Sequence, residues 1–137
     1  MYFEFSLNEE ILLEIPIEIQ VAIFLKDFKK IVTQERGLYI VDRKENLKSL
    51  IQLGFTKRNC KHEILNLSAS DYCAGPKPDK DRPGEVWEFG KRISGHDIYI
   101  KLKIAKAGSV RIAKCISFHI AEHPIVNPLR SKTKKPK

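Results

Sequence analysis

From Pro83 to His119 the chain alternates apolar and polar residues through three consecutive runs, and no other feature restricts its fold as much. Strand side chains point to opposite faces in turn. Ile98, Ile100, Leu102 and Ile104 therefore fall on one side of the middle run, and Asp97, Tyr99, Lys101 and Lys103 on the other. The first run sets Trp87 and Phe89 against Val86 and Glu88. The third sets Ile112, Ile116 and Phe118 against Ala113, Cys115, Ser117 and His119. Together they read as a three-stranded antiparallel meander with one core face and one cationic, titratable face, where Glu88, Tyr99, Lys101, Lys103 and His119 converge. Lys114 breaks the pattern, because alternation puts it on the apolar side, where it must snorkel or sit at an edge.

Before the meander the apolar spacing becomes helical. Pro16 precedes a helix from about Glu18 to Glu35 with the stripe Val21, Phe24, Leu25, Phe28, Ile31 and Val32. Asp42 with Glu45 reads as a capping box for a second helix carrying Leu47, Leu50 and Ile51, stopped at Gly54. Thr56 caps a third helix with Cys60, Ile64, Leu65 and Leu67 inside, and Ser68 with Asp71 opens a short turn. Ala74 to Gly84 is crowded with Gly, Pro and charge and reads as a loop, either a connector or a flexible clamp on a polyanion through Lys77, Lys80 and Arg82.

With 137 residues, 42% of them hydrophobic, the chain is long enough for one core. The expected fold is α+β, with N-terminal helices packed on one face of a small C-terminal antiparallel sheet, over residues 1–128. Residues 1–16 read as an added strand or arm, and residues 129–137 as a basic disordered tail.

The net charge of +8 lies toward the C-terminus: residues 1–53 carry 7 Lys/Arg against 9 Asp/Glu, residues 54–128 carry 13 against 8, and the tail carries 5 against none. A polyanionic partner is the physical implication. No apolar run approaches the roughly 20 residues that span a bilayer, and the N-terminus is acidic where a signal peptide would be basic, so a cytoplasmic protein away from membranes is expected. Cys60, Cys73 and Cys115 are odd in number and far apart, which suits reduced, structural thiols. His119, Glu122 and His123 spell the H-x-x-E-H of zinc peptidases, but Pro124 prevents the helix that pattern needs. Glycine-rich phosphate loops and G-x-S-x-G elbows are absent from the sequence, and neither metal nor cofactor is expected.

A face carrying carboxylate, phenol, ammonium and imidazole suits RNA cleavage without a metal. The reaction needs a base for the 2'-hydroxyl, cations for the developing phosphorane charge, and an acid for the leaving 5'-oxygen. Glu88 or Tyr99, then Lys101 and its neighbours, then His119, can fill those places. Lys77, Lys80, Arg82, Lys91 and Lys103 would continue a phosphate track with Lys101. Tyr99 and then Tyr72 are the candidates for base stacking, whereas Trp87 reads as core. The plainer alternative is a Lys-rich face that keeps the sheet solvated.

The run LIQLGFTKRNCKHEILNLSASDY, then a loop, VWEFGKRISGHDIYIKLKI and KCISFH, resembles the MqsR (motility quorum-sensing regulator) toxins of bacterial type II toxin–antitoxin systems, from about Phe24 to Pro124. The resemblance implies a RelE-like fold whose open sheet face cuts messenger RNA, and a cognate antitoxin that also represses the operon, with the ribosome as a further candidate partner. Tyr99 and Lys101 fall where the family's strand tyrosine and lysine lie. Ala74, Glu88 and His119 stand where the family has lysine, glutamine and lysine. The expectation is a metal-independent endoribonuclease, an mRNA interferase, with Glu88, Tyr99, Lys101 and His119 catalytic and Lys77, Lys80, Arg82, Lys91 and Lys103 on the RNA. A non-catalytic RNA- or ribosome-binding module on the same face is the alternative.

Overall fold

Pro16 presets the backbone for the first helix, and its carbonyl accepts from the Ile19 and Gln20 amides, so α1 (Ile17–Gln34) begins immediately after it. The structure is a computed structural model describing residues 14–130. Most of the arm read over residues 1–16 and most of the tail from Leu129 lie outside the described residues. All six residues of the α1 stripe are buried. Phe24 stacks on Trp87 at 4.8 Å between ring centroids and packs against Phe28 and Phe89.

After β1 (Leu38–Ile40) come α2 (Lys44–Leu53) and α3 (Lys57–Leu65). The cap read at Asp42 is corrected: the N-cap of α2 is the next residue, Arg43, which makes no side-chain cap, and Asp42 instead pairs with Lys57 at 3.3 Å. Gly54 does end α2, in the left-handed conformation that a glycine adopts without a Cβ clash. Thr56 and Asn59 form a reciprocal capping box at α3, and Ser68 and Asp71 form another at the 3-10 turn Ala69–Asp71.

Four strands follow: β2 (Tyr72–Pro78), β3 (Glu85–Ile93), β4 (His96–Ala107) and β5 (Val110–Ile120). The sheet order is β1-β5-β4-β3-β2, with β1 parallel to β5 and every other pair antiparallel. The architecture is α+β, and the expected three-strand meander is the middle of a five-stranded mixed sheet. Half of the segment expected as a loop is β2. Its Pro76 and Pro78 are tolerated because β2 is an edge strand, where a missing amide donor breaks no inner ladder. α1 and α3 bury Phe28, Ile31, Cys60 and Ile64 with Phe89, Ile98, Ile100 and Leu102 on one face of the sheet.

A β-bulge in β5 overturns part of the alternation. Lys101 pairs with Ser117 while the next residue, Leu102, pairs with Cys115, so Ile116 is an extra residue. C-terminal to it, Phe118 faces the core and Ser117 and His119 face away, as alternation requires. N-terminal to it the faces exchange. Ala113 and Cys115 are fully buried in the core, whereas Ile116 and Lys114 lie on the open face. The anomaly at Lys114 is thereby explained, and its ammonium sits 5.8 Å from the centre of the Tyr39 ring.

The bulge is held by α2. Asn46, almost wholly buried, donates to the carbonyls of Ile116 (3.0 Å) and Val41 (2.9 Å) and accepts from the Phe118 amide (2.9 Å), while the Ser49 hydroxyl accepts from Ile120 N. β1 is too short to pair the whole edge of β5. The polar side of α2 satisfies the remainder, which would otherwise be a bare strand edge.

Candidate functional site

Two cross-strand rungs build the centre of the open face. In one, Glu88 of β3 is opposite Lys101 of β4, which is opposite Ser117 of β5. In the next, Gly90, Tyr99 and His119 lie side by side. Neighbouring strands stand about 4.8 Å apart and successive rungs about 7 Å along the strand, so the Glu88 and His119 backbones, two strands and one rung apart, are separated by roughly 12 Å with β4 between them. The Tyr99 and His119 rings meet at 5.3 Å between centroids. Glu88, Tyr99, Lys101 and His119, the four residues read as catalytic, are thus together on one face.

The first rung is extended at both ends. Lys77 of β2 reaches Glu88 at 3.0 Å, and the Glu88 side chain is only 17% exposed. At the other end the Arg43 guanidinium lies 3.4 Å from the Ser117 hydroxyl, donating to it. Two depressions flank the Glu88–Tyr99 pair. One, of about 380 Å³, is lined by four cations, Arg43, Lys77, Lys80 and Lys101, and by Asp79 and Asp81, as well as by that pair. The other, of about 500 Å³, lies between Glu88, Tyr99 and His119 on one side and the segment after β5 on the other.

The electrostatics separate the roles. Burial, followed by the charge of Glu88 and hydrogen bonding to it, raises the Tyr99 phenol well above the usual tyrosine range. Tyr99 is therefore a neutral donor at physiological pH and a poor base. Burial and then the Glu88 and Asp71 charges push the Cys73 thiol up to about 11, so it is not a thiolate nucleophile. His119 Nδ1 lies 3.0 Å from the Ile120 carbonyl, an acceptor, which puts a proton on Nδ1 and leaves Nε2 to exchange.

Other cations read as a phosphate track are placed differently. Lys103 is on the open face, but its side chain is 4% exposed: the loop at residues 79–84 folds over it, and Nζ binds Asp79 Oδ2 (2.6 Å) and the Pro83 carbonyl (2.7 Å). It clamps that loop and does not present its charge. Lys91 is across the ladder from Ile98 on the helix side and lies 3.8 Å from Glu63 of α3. Arg82 is exposed in the loop and lines neither depression, whereas Lys80 lines the cationic one. Tyr72 is not a stacking platform, because it is buried and donates to the Gly75 carbonyl. Trp87 is in the core as read. His119, Glu122 and His123 share no helix, since β5 ends at Ile120 and a bend follows.

Three parts of the site were not anticipated: Arg43, Cys73 and the segment at residues 121–130. Arg43 is recognisable as a site cation only once β1 is known to pair beside β5. The segment carries a sequence signal, the rigid Pro124 and Pro128 around Ile125, that has no meaning until the sheet is assembled.

Comparison with protein-family models, curated proteins and solved structures finds no match for the chain. Among the described residues no helix is long and apolar enough to cross a membrane.

Proposed function

We propose that the chain is an endoribonuclease toxin of the mRNA interferase kind, cutting RNA on the open sheet face by attack of a 2'-hydroxyl, and partnered in the cytoplasm by an antitoxin. The supporting observation is the grouping of Glu88, Tyr99, Lys101 and His119 on two adjacent rungs beside a depression lined by Arg43, Lys77 and Lys80. A solvated surface has no need of a nearly buried carboxylate held against a phenol.

The roles follow from the chemistry of each group. Glu88 accepts the 2'-hydroxyl proton as that oxygen bonds to phosphorus. Lys101 and Arg43 neutralise the charge on the non-bridging oxygens, and the neutral Tyr99 hydroxyl donates beside them. The bond from phosphorus to the 5'-oxygen breaks, and protonated His119 supplies a proton to that oxygen from Nε2. The products are a 2',3'-cyclic phosphate and a 5'-hydroxyl. No step calls on a metal ion.

Inducible expression of the full chain tests the proposal. Growth should stop with loss of intact messenger RNA, and His119→Ala should relieve both effects. Growth at the normal rate, or arrest with messenger RNA intact, would point to a binding module on RNA or the ribosome.

A further inference from the structure

The depression of about 500 Å³ beside the catalytic cluster has a wall made by a segment that β5 does not require. After Ile120 the Ala121 amide still donates to the Asp97 carbonyl, the chain bends at Glu122 and His123, and it then crosses the open face over β3. Asn127 ties it down by donating to the carbonyls of Asp71 (3.0 Å) and Gly90 (3.1 Å), and Arg130 pairs with Asp71 at 3.5 Å. Ile125 seats directly on Gly90: a Cβ at that strand position would stand 2.5 Å from Ile125 Cγ2 and 2.7 Å from Cδ1. A glycine in a strand interior weakens the strand, and here it admits this strap. Pro124, Ile125 and Val126 therefore make an apolar wall facing Glu88, Tyr99 and His119, with Val126 70% exposed at the rim.

We infer that this slot holds one unpaired nucleobase of the RNA, next to the bond that is cut, while the cationic depression on the far side of Glu88 and Tyr99 holds the backbone. The inference rests on the ribonuclease reading above and gives that site its means of engaging the base. A flat base fits with one face on the apolar Pro124–Val126 wall and the other toward the Tyr99 and His119 rings, in a slot that Glu88, Glu122 and His123 also line, whereas its sugar and phosphate require cations, and the two depressions supply these environments on either side of a shared pair of residues. The volume is that of a small-ligand site, large enough for a nucleoside and too small for a duplex.

The test is a titration of the isotope-labelled full chain, followed by amide resonances, with adenosine 3'-monophosphate, ribose 5-phosphate and inorganic phosphate. The nucleotide should shift Cys73 and residues 121–126 saturably and bind about tenfold tighter than ribose 5-phosphate, one base contact's worth of free energy. Inorganic phosphate should move only the surroundings of Arg43, Lys77 and Lys101. Gly90→Ala should displace the strap and remove the nucleotide's advantage, and Gly90→Ala with Ile125→Ala, which deletes the clashing atoms, should restore most of it. Val126→Asp, at an exposed rim position where folding is not at stake, should also weaken the nucleotide and leave phosphate alone. Equal affinity for the nucleotide and ribose 5-phosphate, or Val126→Asp binding the nucleotide like the parent, would overturn the inference. Base binding without RNA cleavage would sink the ribonuclease reading and leave the slot standing.

Discussion

His119 is the residue on the open face whose proton inventory is set by the backbone, because the Ile120 carbonyl fixes one ring nitrogen and leaves the other to work. His119→Ala should lower RNA cleavage by about two to four orders of magnitude, the usual range for one acid–base group, with little change in RNA affinity or melting temperature. If His119→Lys recovers most of the activity, the residue acts only as a cation. Tyr99 is its opposite, a group kept neutral by burial and by Glu88. Cys60, raised to about 12, Cys73, Tyr72 and Cys115 are likewise raised, by burial first in each case. The sign follows from linkage: these groups hold their protons more tightly in the folded state. Their contribution is complete below the unfolded values of 9.0 for thiols and 10.0 for phenols and is lost as pH rises through the folded ones. Urea unfolding should therefore give steady stability near neutrality and a decline above about pH 9. Tyr99→Phe should make the decline shallower from pH 10 upward, and an identical decline in this variant would contradict the burial of the phenol.

The helices and the long strands were legible because each carries its burial pattern within itself: the α1 stripe and the alternation of β4 need no partner to be read. β1 has three residues and exists through its parallel pairing with β5, and β2 resembles a loop because an edge strand tolerates its prolines. The bulge at Ile116 could not be read locally, since it depends on Asn46, 70 residues earlier. Asn46→Ala leaves the Phe118 amide and the Ile116 carbonyl without these partners, and each stranded buried group costs about 1–3 kcal/mol. Its unfolding midpoint should drop accordingly, whereas a value within 0.5 kcal/mol of the parent, the spread of ordinary surface substitutions, would show that the bulge holds itself. The loop over Lys103 is a second element-level device. The hydrogen bond from Lys103 holds the Asp79 carboxyl below the usual range, so the pair contributes above about pH 4 and the contribution is lost as pH falls through the lowered value. Asp79→Asn should reduce stability at pH 7 by about 1–3 kcal/mol and flatten the acid side of the stability profile.

Across the molecule, the helices and the sheet core form one face, and the other gathers polar and titratable groups from β2, β3, β4, β5, the residue before α2 and the returning strap. Sequence periodicity placed the four central residues on one face because they lie on the rungs that pair with β5 at Ser117 and His119, C-terminal to the bulge, where the alternation is undisturbed. It could not show which lysines are free: Lys91 shares parity with Trp87 and Phe89, and Lys103 is covered by a loop whose path depends on the pair it makes with Asp79. The proposed phosphate track is consequently shorter than the sequence implied, with Arg43, Lys77, Lys80 and Lys101 as the cations that line the depression on the open face. At about −0.7 per phosphate contact on a single strand, four contacts give a log–log salt slope of roughly −3 for RNA binding, and a slope near zero would remove the track. The cleavage chemistry is decided by a labelled RNA incubated with the purified full chain in the presence of a chelator, beside the same RNA carrying a single 2'-deoxy sugar at the cleaved position. The ribose substrate should yield a 2',3'-cyclic phosphate and a 5'-hydroxyl, the 2'-deoxy substrate should remain intact at that position, and Glu88→Gln should abolish the first result. Equal cleavage of both substrates, or no cleavage of either, would contradict a 2'-hydroxyl attack on this face.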